Sequence, residues 1–150
     1  MDQLQLNQLI DKYALSQHRE AIQRSMMDSV LLQVGRSADA LLAPGASKIG
    51  GQPDLAAGTA WPRRNNNSPL AFLAQINCAE LQQQCPRSEL PAAGILSFFY
   101  DAAEMPWGYD ASHADGFKVL FAPDAQPLAR TSPPSQPGKT PSLFSRLFGA

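Results

Sequence analysis

Pro69-Leu70-Ala71-Phe72-Leu73-Ala74-Gln75-Ile76-Asn77, followed after a helical interval by Gly94-Ile95-Leu96-Ser97-Phe98-Phe99-Tyr100-Asp101, decides the fold. Both are short apolar runs bounded by proline, asparagine and glycine, the length and punctuation of strands. In the first, Leu70, Phe72, Ala74 and Ile76 alternate onto one face and Ala71, Leu73 and Gln75 onto the other, so both faces read as covered. Between the runs, Cys78 and Cys85 bracket Ala79 to Gln84, a stretch of good helix formers. Asn77 suits the N-cap, and Glu80 is placed to reach back as in a capping box. This helix must stop before Pro86, and Pro91 to Gly94 turns the chain into the second strand. Phe72, Ile76, Phe98 and Phe99 are the expected core anchors.

Outward from this centre, Phe117-Lys118-Val119-Leu120-Phe121 reads as a third strand, and Ser29 to Val34 as another closed by Gly35. Leu6, Leu9, Ile10 and Tyr13 recur at helical spacing behind Asp2 as N-cap, and a second helix is predicted over Ser16–Asp28. The second carries Ala21, Ile22, Ser25 and Met26 on one side, a narrow stripe expected to pack on the core. Residues 35–69 are rich in Gly, Pro, Ser and Asn, and a connection that long holds defined structure or a function. Gly50-Gly51 permits positive φ, but no Gly-x-x-x-x-Gly-Lys-Ser/Thr phosphate loop accompanies it.

The fold class expected is therefore α+β, with a mostly antiparallel sheet, two amino-terminal helices and one short inserted helix. The domain is placed at residues 1–130. From Thr131 the Pro/Ser-rich composition reads as a disordered tail, ending in the apolar Leu143-Phe144-Ser145-Arg146-Leu147-Phe148.

Twelve basic against 13 acidic residues give a formal net charge of −1. Without a basic excess there is nothing to neutralise phosphates, so nucleic acid is not an expected partner. Arg63-Arg64 reads as a solvated loop pair. No run approaches the roughly 18 apolar residues that cross a bilayer, and Met1-Asp2-Gln3-Leu4 does not open a secretory signal. A cytoplasmic protein without a membrane partner is expected. Cys78 and Cys85, on one helix, would stand about 10 Å apart, beyond the roughly 4.4–6.8 Å of a disulfide, so both should be free thiols. Two cysteines with the distant His18 and His113 match no zinc spacing, and no metal or other cofactor is expected.

The ordered set Ser47-Lys48-Ile49-Gly50-Gly51-x-Pro53, Trp61-Pro62, Pro69-Leu70-x-Phe72-Leu73-x-Gln75-Ile76-Asn77, Gly94-x-Leu96-x-Phe98-Phe99-Tyr100-Asp101, Pro106-Trp107-Gly108 and Phe117-Lys118-Val119-Leu120 resembles the YwqG-like family, a bacterial domain of unknown function. The resemblance covers about residues 29–130. It implies a cytosolic α+β protein without an assigned reaction, with an immunity-type role suggested for some members. Relatives continue into a second half resembling the first. Here the Pro/Ser tail begins at that point, which implies a truncated, frameshifted or shortened member.

Catalysis by a nucleophile needs a hydroxyl or thiol, a base and an orienting group. Ser97 lies within a strand, no Gly-x-Ser-x-Gly elbow exists, and His18 and His113 are far apart in sequence. Cys78, opening a helix, is the best single nucleophile candidate, with an inert packing role as the plainer reading. Asp101, Glu104, Asp110, His113 and Asp115 form the densest polar cluster, around Trp107. It reads either as a ligand pocket or as a loop of turn-forming aspartates. Gln75, Asp101, Trp107 and His113 are the candidate binding residues, and no catalytic residue is assigned. The expected function is a non-enzymatic interaction module with an unknown protein partner or a second copy of itself. The alternative is an enzyme or small-ligand protein with its site in the Asp101–Asp115 loop. Two central strands apolar on both faces, with few helices to cover them, predict self-association or poor solubility.

Overall fold

β3 (Ala71–Asn77) and β4 (Ile95–Tyr100) pair antiparallel at the centre of a four-stranded sheet, with β1 (Lys48–Ile49) and β5 (Phe117–Ala122) as its edges in the order β1-β3-β4-β5. A two-stranded antiparallel ribbon, β2 (Asp54–Ala56) with β6 (Leu128–Arg130), lies outside that sheet. The computed structural model describes residues 3–27, 31–86, 89–123 and 127–135. The chain divides into two compact units, Met1–Val34 and Gly35–Ala150.

The first unit holds α1 (Gln3–Lys12), a 3-10 turn Ser16–His18 and α2 (Arg19–Ser25). Leu6 and Ile10, one turn apart, are buried, while Leu9 and Tyr13 of the expected stripe are exposed. Arg19 ties the two helices by donating to Asn7 Oδ1 at 2.7 Å and to Asp11, and Gln23 donates to the same Asn7 oxygen at 3.2 Å. α2 is shorter than its sequence pattern suggested and has no buried residue, so its narrow stripe is not a core face. Leu31 to Val34 are not a strand. They lack strand pairing, and Leu31, Leu32 and Val34 are exposed, because no neighbouring strand completes a ladder there. Asp2, Ser29 and the Leu143–Phe148 segment lie outside the described residues.

In the second unit Phe99, 2 % exposed, is the centre of a core with Leu55 and Leu70. Trp61 meets its ring edge-on at a centroid distance of 5.3 Å, and Phe72 at 5.6 Å. The Trp61 indole N–H donates to Leu70 O at 2.8 Å, so the indole is satisfied while its body fills the core. Asn77 caps α3 (Cys78–Gln84) by accepting from the Ala79 and Glu80 amides. Glu80 does not close the expected capping box. Its carboxylate accepts instead from the Ser47 amide at 3.1 Å, and Ser47 Oγ accepts the Asn77 N–H at 2.9 Å, so the helix start is strapped to the segment before β1. The fold is α+β with a mostly antiparallel sheet, as the strand and helix patterns indicated. Among the described residues no helix is long and apolar enough to cross a membrane.

Candidate functional site

Directly opposed residues share a face, so the register sorts the sheet into two sides. Lys48↔Gln75↔Ser97↔Leu120 and Phe72↔Phe99↔Lys118 lie on one side. Ile49↔Ala74↔Phe98↔Val119, Ile76↔Leu96↔Phe121 and Tyr100↔Phe117 lie on the other. A β-bulge between Phe72 and Ala74 shifts the alternation by one residue at Leu73. This places Phe72 on the side of Gln75, where simple alternation had separated them.

The distribution is the reverse of a solvated sheet. The side carrying Lys48, Gln75 and Ser97 is the covered one, and those three residues are buried with Phe99 and Ile95. The other side has no charged residue, yet Ile49, Phe117, Val119 and Phe121 are each about half exposed, and none of its members is fully buried. Phe98, expected in the core, is on this open side. Tyr100 donates its hydroxyl to Pro106 O at 2.8 Å, which anchors the loop after β4 at the end of the open face. That loop presents Met105, Trp107 (84 % exposed) and Tyr109 (85 % exposed) to solvent. Trp107 therefore does not plug its loop onto the core as Trp61 does.

The candidate residues from sequence fall in separate places. Gln75 is wholly buried: its Oε1 accepts the Asp54 N–H at 2.9 Å, and its Nε2 donates to Asp54 Oδ2 and to Ala46 O, each at 2.8 Å. Asp101 is buried one residue beyond β4. Its Oδ2 accepts from Arg64 at 2.8 Å, and its Oδ1 takes the Ala103 and Glu104 amides at 3.0 and 3.1 Å. Asp115 receives Arg64 Nη2 at 2.7 Å and the Asn65 amide at 3.0 Å. Arg64, read from sequence as solvated, is thus the half-buried clasp of this loop, while Arg63 is exposed. His113 accepts the Gly108 N–H at Nδ1 over 3.3 Å, and Asp110 caps its 3-10 turn by accepting from Ser112. Among the described residues no hydrogen bond joins Gln75, Asp101, Trp107 and His113 to one another.

Sequence reasoning missed a cluster of charge under the covered face. Lys48 Nζ lies 3.1 Å from Asp54 Oδ2 and 3.0 Å from Asp39 Oδ1, and Arg130 Nε donates to Asp54 Oδ1 at 3.0 Å. Arg130 also donates to the carbonyls of Asp39 and, at 3.1 Å, of Leu42. Burial acts to raise the Asp54 pKa, but hydrogen bonds from Arg130, the Gly45 amide, Gln75 and Lys48 outweigh it and hold the carboxyl below its ordinary range. For Asp101 the same balance holds: burial pushes up, and the Glu104 amide, Arg64 and the Ala103 amide bring it below normal. The only sequence signal for the cluster was Lys48-Ile49-Gly50-Gly51-x-Pro53-Asp54; Asp39 and Arg130 lie too far away in sequence to be joined to it.

Chemically, these carboxylates are engaged and ionised. Among the described residues every buried side-chain nitrogen and oxygen has a partner. Cys78 is buried, and burial pushes its thiol pKa up, the reverse of activation by a helix start. Among the described residues no three His, Cys, Asp or Glu side chains are grouped to hold a metal.

The fold and its surfaces define an α+β domain with one open apolar sheet face and, among the described residues, no assembled nucleophile–base pair. The chain belongs to the family described as a domain of unknown function (DUF1963), whose model matches residues 47–146. Among the described residues, that match takes in every strand and α3. No curated protein matches the chain.

Proposed function

We propose that this chain is a non-catalytic interaction module whose working surface is the open face of the β1-β3-β4-β5 sheet, extended by the Met105–Tyr109 loop. One observation carries the reading: an uncharged face with Ile49, Phe117, Val119 and Phe121 half exposed, whose Tyr100 anchors the loop that carries the exposed Trp107 and Tyr109. Contiguous apolar surface beyond a few hundred Å² marks association sites, and tryptophan and tyrosine are the side chains that anchor them. From these exposures and ordinary side-chain sizes, the patch offers on the order of 800 Å², about one side of a standard interface. A second copy of the chain is the occupant proposed. The face carries no charge to repel its own image, and two such faces pack isologously. The alternative site in the Asp101–Asp115 loop is less favoured because Arg64 already engages both carboxylates.

Light scattering on the whole chain tests this, comparing wild type with Val119→Lys. The expected result is a mass that rises with concentration toward the dimer in wild type and stays monomeric in the variant, with folding retained. A wild type that remains a monomer at high concentration would sink the proposal.

Within its family we place the chain with the YwqG-like members, as a bacterial cytosolic protein. Support comes from the ordered motifs from Ser47 to Leu120 and the near-neutral charge. An immunity-type role rests on the resemblance alone. Protection of a host cell by the expressed chain against a co-expressed toxin would test it.

A further inference from the structure

Asp39 stands in a cradle that is built like an anion site. Its Oδ1 is 3.0 Å from Lys48 Nζ and 3.6 Å from Arg130 Nη1, and its Oδ2 accepts the Gln52 amide at 3.0 Å. The floor is the Gly50-Gly51 turn, with φ of +76° and +71°; its Gly50 amide donates to Leu73 O at 2.7 Å, and the Gln52 amide that follows is the one that meets the carboxylate. The fit depends on glycine: a Cβ on Gly51 would lie 2.7 Å from the Asp39 carboxyl carbon and 2.9 Å from each oxygen. Lys48 and Arg130 also serve Asp54, so the two cations and two carboxylates are neutral together, and without Asp39 the cradle has one uncompensated positive charge. Asp39 itself comes from outside the sheet, on a short 3-10 turn (Asp39–Leu41) whose preceding residues 35–38 are exposed. Its carboxylate is about one quarter exposed, whereas Lys48 is almost wholly covered.

We infer that Lys48, Arg130, the Gly50-Gly51 turn and the Gln52 amide form a carboxylate-binding site that Asp39 fills as a built-in ligand, and that a small external carboxylate exchanges with it. A monoanion matches the single uncompensated charge. Its two oxygens match the split between the Lys48 and Arg130 cations and the Gln52 N–H. Exchange would free the Asp39 side chain from the β1–β2 turn, while Arg130 still holds the Asp39 and Leu42 carbonyls of the 35–42 segment.

Acetate is the probe, titrated into Asp39→Ala with sodium chloride at matched ionic strength as the reference. The expected result is a saturable rise in unfolding midpoint that chloride does not reproduce. At ten times the dissociation constant it amounts to about 3–6 °C. The double variant Asp39→Ala with Gly51→Ala should lose the response, because the added methyl takes the carboxylate's place. Equal responses to acetate and chloride, or an undiminished response in the double variant, would overturn the proposal. If Asp39→Ala does not fold unaided, recovery on refolding in acetate becomes the reading, and wild type gives an independent one. There the Gln52 amide resonance should move with acetate at a midpoint at least tenfold higher than in the variant. A Gln52 resonance unmoved by molar acetate, together with no recovery of the variant, refutes exchange.

Discussion

Gln75 and Asp54 hold each other by a reciprocal pair of hydrogen bonds, Asp54 N–H to Gln75 Oε1 at 2.9 Å and Gln75 Nε2 to Asp54 Oδ2 at 2.8 Å. The pair joins β3 of the four-stranded sheet to β2 of the ribbon, away from water on both sides. Replacing Gln75 by Leu keeps the volume but orphans the Asp54 amide and the Ala46 carbonyl. Each buried unpaired group costs about 1–3 kcal/mol, so the expected loss for the two is about 2–6 kcal/mol by chemical denaturation. A loss below about 1 kcal/mol would show that the clamp is replaceable.

The buried charges set an acid limit to stability. Asp54 is held below the ordinary aspartate range when folded, so the unfolded chain takes up the proton first. Its contribution is therefore complete above about pH 3.9 and is lost as pH falls through the lower folded value. Asp101 and Asp115 shift in the same direction and add to the slope. Unfolding free energy should be nearly level near neutrality and fall steeply in acid. Asp54→Asn should flatten the acid limb without abolishing it, as followed by denaturation across pH.

Phe99 and Phe98 are neighbours with different burdens. Phe99→Ala removes the ring on which Trp61 and Phe72 converge, and about 3–5 kcal/mol of stability should go with it. Phe98 points to the half-open face, so Phe98→Ala should cost roughly half as much or less in the monomer. Equal losses for the two variants would contradict the assignment of faces.

The two thiols should react at different rates. Cys85 is partly accessible, whereas Cys78 is buried and its thiol is pushed toward the protonated form. A thiol reagent should modify Cys85 in the native protein and both only after denaturation, without any reductant. Native modification of Cys78 at the rate of Cys85 would mean that α3 opens readily.

The central strands were legible because Ile76, Phe98 and Phe99 form apolar runs between proline, asparagine and glycine, and that signal is local. Asn77 as the cap was legible for the same reason: the side chain acts on amides two and three residues ahead. The partner of Glu80 was not, because Ser47 arrives from 33 positions away. β1, β2 and β6, with two or three residues each, are too short to show a period, and their pairing depends on contacts such as Asp54 with Arg130 across 76 positions. The faces were misassigned at Leu73, since a bulge leaves no mark in an apolar run. Trp61 and Trp107 look alike in sequence, each beside a proline, and only the core around Phe99 distinguishes the buried one from the exposed one.

The bulge at Leu73 makes that position a spacer whose presence matters more than its identity. Its carbonyl takes the Gly50 N–H at 2.7 Å, a backbone contact that any residue but its absence would preserve. Removing it would leave Phe72 and Gln75 two positions apart, a spacing that regular alternation keeps on one side without a bulge, but the Gly50 contact at this carbonyl would be lost. Related sequences should accordingly either exchange one apolar letter for another at this site and keep the bulge, or drop the position together with the bulge, so that the phenylalanine and the glutamine stay on one side.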